Sequence, residues 1–300
     1  MSATITAYPQ PLATADAAVP VRSAAVVLQV ARYQARDVLR SRWLAMYGIF
    51  FLAVTEGLLR FGGGDARAIL SIASIVLYVV PLVTLVFATV YLYSAREFIE
   101  LLLAQPVRRG RLFTGLYLGL SVPLAAALLV GVSAPFVAHG FDDPAQRAML
   151  AALLGAGAAL TLVFSGIAFC IALWCDDRLK GLGAAIGVWM VCAIVYDGLV
   201  MAIVAAFADY PLERAMLALT LANPIDLARV ALLLQLDVSA LMGYTGAVFQ
   251  QFLGGAVGTL VAAGSLSLWV VLPIALGLHT FRRKDFYCTV FRYRWHRMSS

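Results

Sequence analysis

Four stretches of the chain, residues 68–95, 112–141, 148–175 and 238–281, contain no Asp, Glu, Lys or Arg. Each is longer than the roughly 20 apolar residues with which a helix crosses a bilayer. Lipid offers the peptide groups no partners, so such stretches must satisfy their hydrogen bonds internally, as helices. Dividing the chain at its polar breaks predicts six spans, over 43–59, 67–94, 112–138, 148–174, 182–206 and 253–279. The expected fold class is an all-α polytopic membrane protein with six transmembrane helices. Residues 1–21, rich in Ala, Pro and Thr, are expected to be a disordered cytoplasmic tail. Residues 22–286 form one membrane domain, and 287–300 a second cytoplasmic tail.

The segments between spans are patterned too. Residues 22–42 set Val26, Val27, Val30, Tyr33 and Leu39 among Arg22, Arg32, Arg36, Asp37, Arg40 and Arg42. That alternation predicts an amphipathic helix on the inner leaflet, its arginines reaching anionic head groups. The loop after the second span reads REFIELLLAQPVRR, from Arg96 to Arg109. A short apolar helix ended by Pro106 is expected there, with Glu97 and Glu100 three residues apart on it. Residues 207–252 are too long for a turn and too polar to span, and are expected to lie in, or re-enter, the outer interface. Within them, Asn223, Pro224 and Asp226 make a helix start, with Asn as N-cap, Pro at the first helical position and Asp at the positive end of the dipole. Small residues recur four apart at Gly115 and Gly119, Gly183 and Gly187, and Gly254, Gly258 and Ala262, a spacing that lets helix backbones approach closely in lipid. Pro81, Pro123 and Pro273 fall inside spans, where each removes a backbone hydrogen bond and bends the helix.

Composition agrees and adds an orientation. At 63% hydrophobic and 13% charged, the chain is excluded from the soluble domains. With the N-terminus inside, the inner segments hold 17 of the Lys and Arg residues and the outer ones hold 5, namely Arg60, Arg67, Arg147, Arg214 and Arg229. Basic loops resist translocation, so both ends are expected in the cytoplasm of a bacterial inner membrane. The net charge of +6 is thereby a topology signal and calls for no nucleic acid. The four cysteines, Cys170, Cys175, Cys192 and Cys288, fall in the inner half or inside, where no disulfide is expected.

Little in the sequence suggests catalysis. Neither Lys180 nor Lys284 follows a Gly-rich run, so no nucleotide-binding P-loop exists. His139, His279 and His296 are scattered, and Cys170 and Cys175 lack a dithiol spacing. A membrane enzyme would need clustered acids, bases or ligands that are missing here. Two carboxylates lie within spans, where charge is costly. Glu56 has Arg60 four residues on and is expected to pair with it. Asp197 is deeper and shares a helical face with Met190 and Met201. That face has two readings: a soft-metal path, for which these three are weak candidate ligands, or a carboxylate paired across the bundle beside gap-filling Met residues.

The stretches REFIELLLAQPVRRGRLFTGLYLGL, Arg96 to Leu120, and LANPIDLARVALLLQLDVSALMGYTGAVF, Leu221 to Phe249, resemble the ABC-2 type transporter permeases, and within them the branch serving maturation of the copper enzyme nitrous oxide reductase. The resemblance covers about residues 22–286 and implies four elements in order: an N-terminal elbow helix, six spans, a cytoplasmic coupling helix between spans two and three, and outer interfacial helices between spans five and six. It implies a homodimer, two separate cytoplasmic ATPase subunits that bind the ATP and Mg, and a periplasmic β-helix partner, with no cofactor on this chain and copper or a sulfur species handled by the complex. Glu97, Phe98, Glu100, Leu101, Leu102, Gln105 and Pro106 would then seat in the ATPase, and Asn223, Pro224, Asp226, Arg229 and Asp237 would face the periplasmic partner. The alternative within the family is a permease exporting a drug, lipid or polysaccharide.

Overall fold

The computed structural model describes residues 23–61, 65–103, 108–140, 144–207, 213–235 and 256–283. All the described elements are helical. They run α1 (Ser23–Leu39), α2 (Arg42–Phe61), α3 (Asp65–Ser94), α4 (Arg96–Leu103), α5 (Arg109–His139), α6 (Pro144–Trp174), α7 (Arg178–Met190), a π turn (Val191–Val195), α8 (Tyr196–Ala206), α9 (Glu213–Ala222), α10 (Pro224–Gln235) and α11 (Ala256–Arg283). Six helices are long and apolar enough to cross a membrane: Arg42–Phe61, Arg67–Ser94, Arg109–His139, Pro144–Trp174, Arg178–Ala206 and Leu260–Arg283. Each falls on one of the six expected spans.

The spans are not equivalent. Of the apolar stretch of α6, 67% is buried within the chain, against 6% for the span made by α7, the π turn and α8. α5 and α6 form the centre, flanked by α2 and α3, and the core runs through Phe51, Ile72, Leu116, Leu128, Phe164 and their neighbours. The span α7–α8 lies at the rim with Ile186, Met190, Ile194, Leu199 and Met201 on its surface. In lipid such a face costs nothing, since hydrocarbon is as apolar as the side chains it meets.

Close backbone approach sets how α1 sits. A Cβ on Gly119 would lie 2.5 Å from the Gln34 Cβ, and one on Gly115 would lie 2.9 Å from the Val30 Cβ. The first small-residue pair of the sequence is therefore the groove into which α1 fits, with Gln34 and Val38 buried and Arg32, Arg36 and Arg40 exposed. Gly183 and Gly187, in contrast, have nothing within 4 Å. Gly254 and Gly258 lie outside the residues whose surroundings are described.

Candidate functional site

Two polar assemblies stand out against the apolar bundle, one at each end. At the first end, α4 caps the junction of α3 with α6. Ile99 is buried under it, whereas Leu101 is 70% exposed and Glu97 is exposed. Arg96 anchors the helix: its guanidinium donates to the Asp176 carbonyl (3.1 Å) and carboxylate (3.2 Å) beyond the end of α6, and lies 3.4 Å from Glu100 one turn on. Phe98 stacks on Tyr33 of α1 with ring centroids 5.3 Å apart, and the Tyr91 hydroxyl donates to Asp37 of α1 (2.5 Å). α4 is thus held on one side and leaves Glu97 and Leu101 outward. Leu102 is half-buried. Gln105 and Pro106 lie outside the described residues. At this same end Arg109 donates to the Arg282 carbonyl (3.2 Å), joining the start of α5 to the finish of α11.

At the other end α9 and α10 form a hairpin bent by 114°. Its bend reaches deep into the bundle, because Asn223 touches Cys192, which is 14 residues from Arg178 and 14 from Ala206, the two ends of its span. By length and composition this bent pair is a broken span or a re-entrant loop. A chain reversal at that depth exposes the last carbonyls of one helix and the first N–H groups of the next where no water satisfies them. Three of these groups meet side-chain partners here. The Tyr196 hydroxyl donates to the Leu219 carbonyl (2.6 Å) and the Trp269 indole N–H to the Leu221 carbonyl (2.9 Å). The Asn223 Oδ1 accepts from the Ile225 N–H (3.1 Å), the N-cap the sequence predicts.

The π turn belongs to the same device. In an α-helix the Tyr196 N–H would reach the carbonyl four residues back, at Cys192. Here it bonds to Val191, five back, which leaves the Cys192 carbonyl to accept the Asn223 amide (2.7 Å). Pro224 opens α10 without an N–H of its own to satisfy.

One turn further, α10 presents Arg229 to span five. Its two terminal nitrogens donate to the two oxygens of Asp197, each at 3.1 Å, in the fork geometry that suits a guanidinium to a carboxylate. The same guanidinium donates to the Tyr78 hydroxyl of α3 (2.8 Å) and lies 3.1 Å from Asp226. Tyr78 also donates to Asp197 (3.3 Å), and Asn223 to Asp226 (3.0 Å). The Trp189 indole fixes the backbone under Tyr78 by donating to its carbonyl (3.0 Å). The cluster ties three elements, α3, α8 and α10, at one point.

Of the two readings of Asp197, the structure shows the carboxylate paired across the bundle; Met190 and Met201 stand on the rim at 47% and 72% exposure. Glu56 pairs with Arg60 at 2.6 Å, as its spacing predicts. The polar groups of Asn223, Asp226 and Arg229 are engaged by the chain itself, and Asp237 lies outside the described residues. Tyr78, Tyr196, Trp189 and Trp269 had no sequence signal beyond being polar-tipped aromatics within spans. No group of three or more potential metal ligands occurs among the described residues.

An amphipathic α1, six spans, a helix between spans two and three, and a bent helical pair between spans five and six make up a permease architecture. The model of the ABC-2 family transporter proteins matches residues 28–286, and the chain belongs to that family as the permease subunit of an ABC transporter. Among curated proteins it is similar to the probable ABC transporter permease protein NosY of Pseudomonas aeruginosa, 28% identical over 277 residues, covering 86% of this chain and 98% of that one. It is also 25% identical over 276 residues to the NosY protein of Stutzerimonas stutzeri, with the same coverage.

Proposed function

We propose that this chain is the NosY-type membrane subunit that couples ATP hydrolysis in a separate, NosF-like cytoplasmic ATPase to a periplasmic, NosD-like β-helix partner, in the service of copper-centre assembly in nitrous oxide reductase. The observation that carries this reading is the likeness to two NosY permeases along 98% of their length. The structure supplies a mechanical route consistent with it. α4, with Glu97 and Leu101 outward, is the surface for the ATPase. Its anchorage through Arg96 to the end of α6, and through Phe98 to α1, passes a push on α4 into the bundle. The ties from Tyr78, Asp197, Tyr196 and Trp269 pass movement of three spans to the α9–α10 hairpin. For ATP to do work on the periplasmic partner, the hairpin must contact that partner differently in the two states. Asn223, Asp226 and Arg229 act by fixing where the hairpin stands.

The chain works as a homodimer in this reading. The span α7–α8 is 6% buried, and Gly183 and Gly187 have nothing within 4 Å, so this face accepts a second copy at close range. Both termini and α4 are cytoplasmic, following the basic loops. The experiment is deletion of the gene, followed by measurement of copper in the purified reductase and of the proteins that co-purify with the tagged permease. A copper-deficient reductase, restored by the intact gene, and co-purification of an ATPase and a β-helix protein are expected. A fully loaded reductase refutes the maturation role, and an ATPase without the β-helix protein selects an exporter of another substrate.

A further inference from the structure

α1 carries its charge on the side turned away from the bundle. Gln34 and Val38 are buried, while Arg32, Arg36 and Arg40, about one turn apart, are exposed. None of the three has an acidic partner among the described residues, and Asp37, the one carboxylate on this helix, accepts from the Tyr91 hydroxyl. Apolar side chains share the exposed surface. Leu28 and Leu39 are exposed 4 and 7 residues from Arg32, which puts all three on one helical face. Trp43 is exposed just past the turn at Arg40 and Ser41, where the first membrane-crossing helix begins, so this end of α1 stands at the bilayer boundary. An acidic soluble protein would satisfy the arginines and leave Leu28, Leu39 and Trp43 in water. A phospholipid with an anionic headgroup satisfies both, its phosphate oxygens on the guanidinium groups and its acyl chains on the apolar side chains. We propose that anionic phospholipid binds this face of α1, and that the binding firms the mount of α4.

The other edge of α1 meets α3 and α4. Tyr33 stacks on Phe98 of α4, and Asp37 takes the Tyr91 hydroxyl near the end of α3. α1 is also seated on α5 at Gly115 and Gly119, so it joins the surface that lipid covers to the helices that carry α4. Like charges one turn apart repel, and in a neutral bilayer that repulsion works against keeping α1 folded in its seat. Headgroup anions reverse the sign: each basic side chain at an anionic membrane surface gains about five-fold in an equilibrium constant. Without them α1 lifts from Gly115 and Gly119 more often, and Phe98 loses its stacking partner each time it does. Salt screens exposed charges beyond about 10 Å at 0.1 M and more closely at higher concentration, so high ionic strength acts in the same direction as a neutral bilayer.

The test uses the full chain alone, in nanodiscs of phosphatidylcholine or of phosphatidylcholine and phosphatidylglycerol in equal parts, so it needs neither an ATPase nor a periplasmic partner. Hydrogen exchange of residues 27–39, normalised to α6, should be slower in the anionic discs by about five-fold or more, the effect of one or more engaged arginines. Exchange of residues 97–103 should slow with it, and added salt should erase both differences. Arg32→Gln with Arg36→Gln should remove most of the lipid dependence, and Arg32→Lys with Arg36→Lys should keep it. Arg178→Gln with Lys180→Gln takes the same charge from another exposed stretch and should also keep it. If the double Gln variant loosens α6 as well, quenching of Trp43 in the native chain decides, with Trp43→Phe identifying its signal. Brominated phosphatidylglycerol must then quench Trp43 more than brominated phosphatidylcholine at equal content. Exchange of α1 indifferent to lipid charge, or a lipid dependence that survives the loss of Arg32 and Arg36, overturns the proposal. Slowing of α1 without α4 overturns the link to α4, and equal protection by inorganic phosphate added to neutral discs overturns phospholipid as the occupant.

Discussion

Gly119→Ala adds one methyl group and should undo the seat of α1. The new Cβ would stand 2.5 Å from the Gln34 Cβ and 2.9 Å from both the Gln34 Cγ and the Ala31 carbonyl oxygen. Carbon atoms pack at about 3.5–4.0 Å, so α1 has to lift by about 1 Å or more along the groove. Overpacking of this kind costs about 1–3 kcal/mol, against a helix-propensity gain of about 1 kcal/mol for Ala over Gly. The net expectation is destabilisation of up to about 2 kcal/mol. Gly183→Ala is the control: with nothing within 4 Å it meets only the propensity gain and should stabilise the isolated chain by up to about 1 kcal/mol. Denaturation of the purified monomer in detergent reads both, and hydrogen exchange in residues 27–39 shows whether α1 is the part released. Adding Gln34→Gly to Gly119→Ala should recover part of the loss, because it removes the Cβ that is struck but leaves the Ala31 carbonyl. Because α1 holds α4 through Tyr33 and the end of α3 through Asp37, the variant should also weaken stimulation of the ATPase. Equal stability of Gly119→Ala and Gly183→Ala would refute the close seating on which this rests.

Four further substitutions probe other joints. Arg229→Gln and Asp197→Asn should each cost about 1–3 kcal/mol, less than for a fully buried pair because both side chains keep some exposure, and a double-mutant cycle should return about 1–2 kcal/mol of coupling; additivity would show that the fork does not hold the hairpin. Leu101→Asp should leave stability within about 0.5 kcal/mol, since that side chain is 70% exposed, yet abolish co-purification of the ATPase; retained binding would move the ATPase surface off α4. Gly181→Ala places a Cβ 2.1 Å from the Tyr93 hydroxyl and should break its hydrogen bond to the Cys175 carbonyl, seen as faster exchange at the α6–α7 junction; an unchanged junction would count against that contact.

The spans were legible because lipid imposes one strong rule: an uncharged stretch of about 20 residues has to be a helix. The N-cap at Asn223 and the Glu56 to Arg60 pair were legible because both are local, fixed by spacing along one helix. Pairing over distance was not. Asp197 and Arg229 are 32 residues apart, and Tyr78 is 151 from Arg229; no periodicity connects them, and each alone reads as an isolated polar residue in an apolar run. The π turn was invisible for a related reason. Nothing in VCAIV forbids an α-helix, and the turn widens because the Cys192 carbonyl has a partner in Asn223, 31 residues on.

These long-range ties share one physical cause. A helix pair reversing within the bundle strands the carbonyls of Leu219 and Leu221 and the polar side chains of α10 in an apolar surround, where each unsatisfied group costs several kcal/mol. Partners therefore have to come from neighbouring spans, and once Tyr196, Trp269, Cys192, Asp197 and Tyr78 have supplied them, the hairpin cannot shift without dragging three spans or breaking several bonds together. The demand for backbone satisfaction in lipid thus produces a stiff connection between the spans and the hairpin as a by-product, which is what the proposed transmission of movement across the membrane requires.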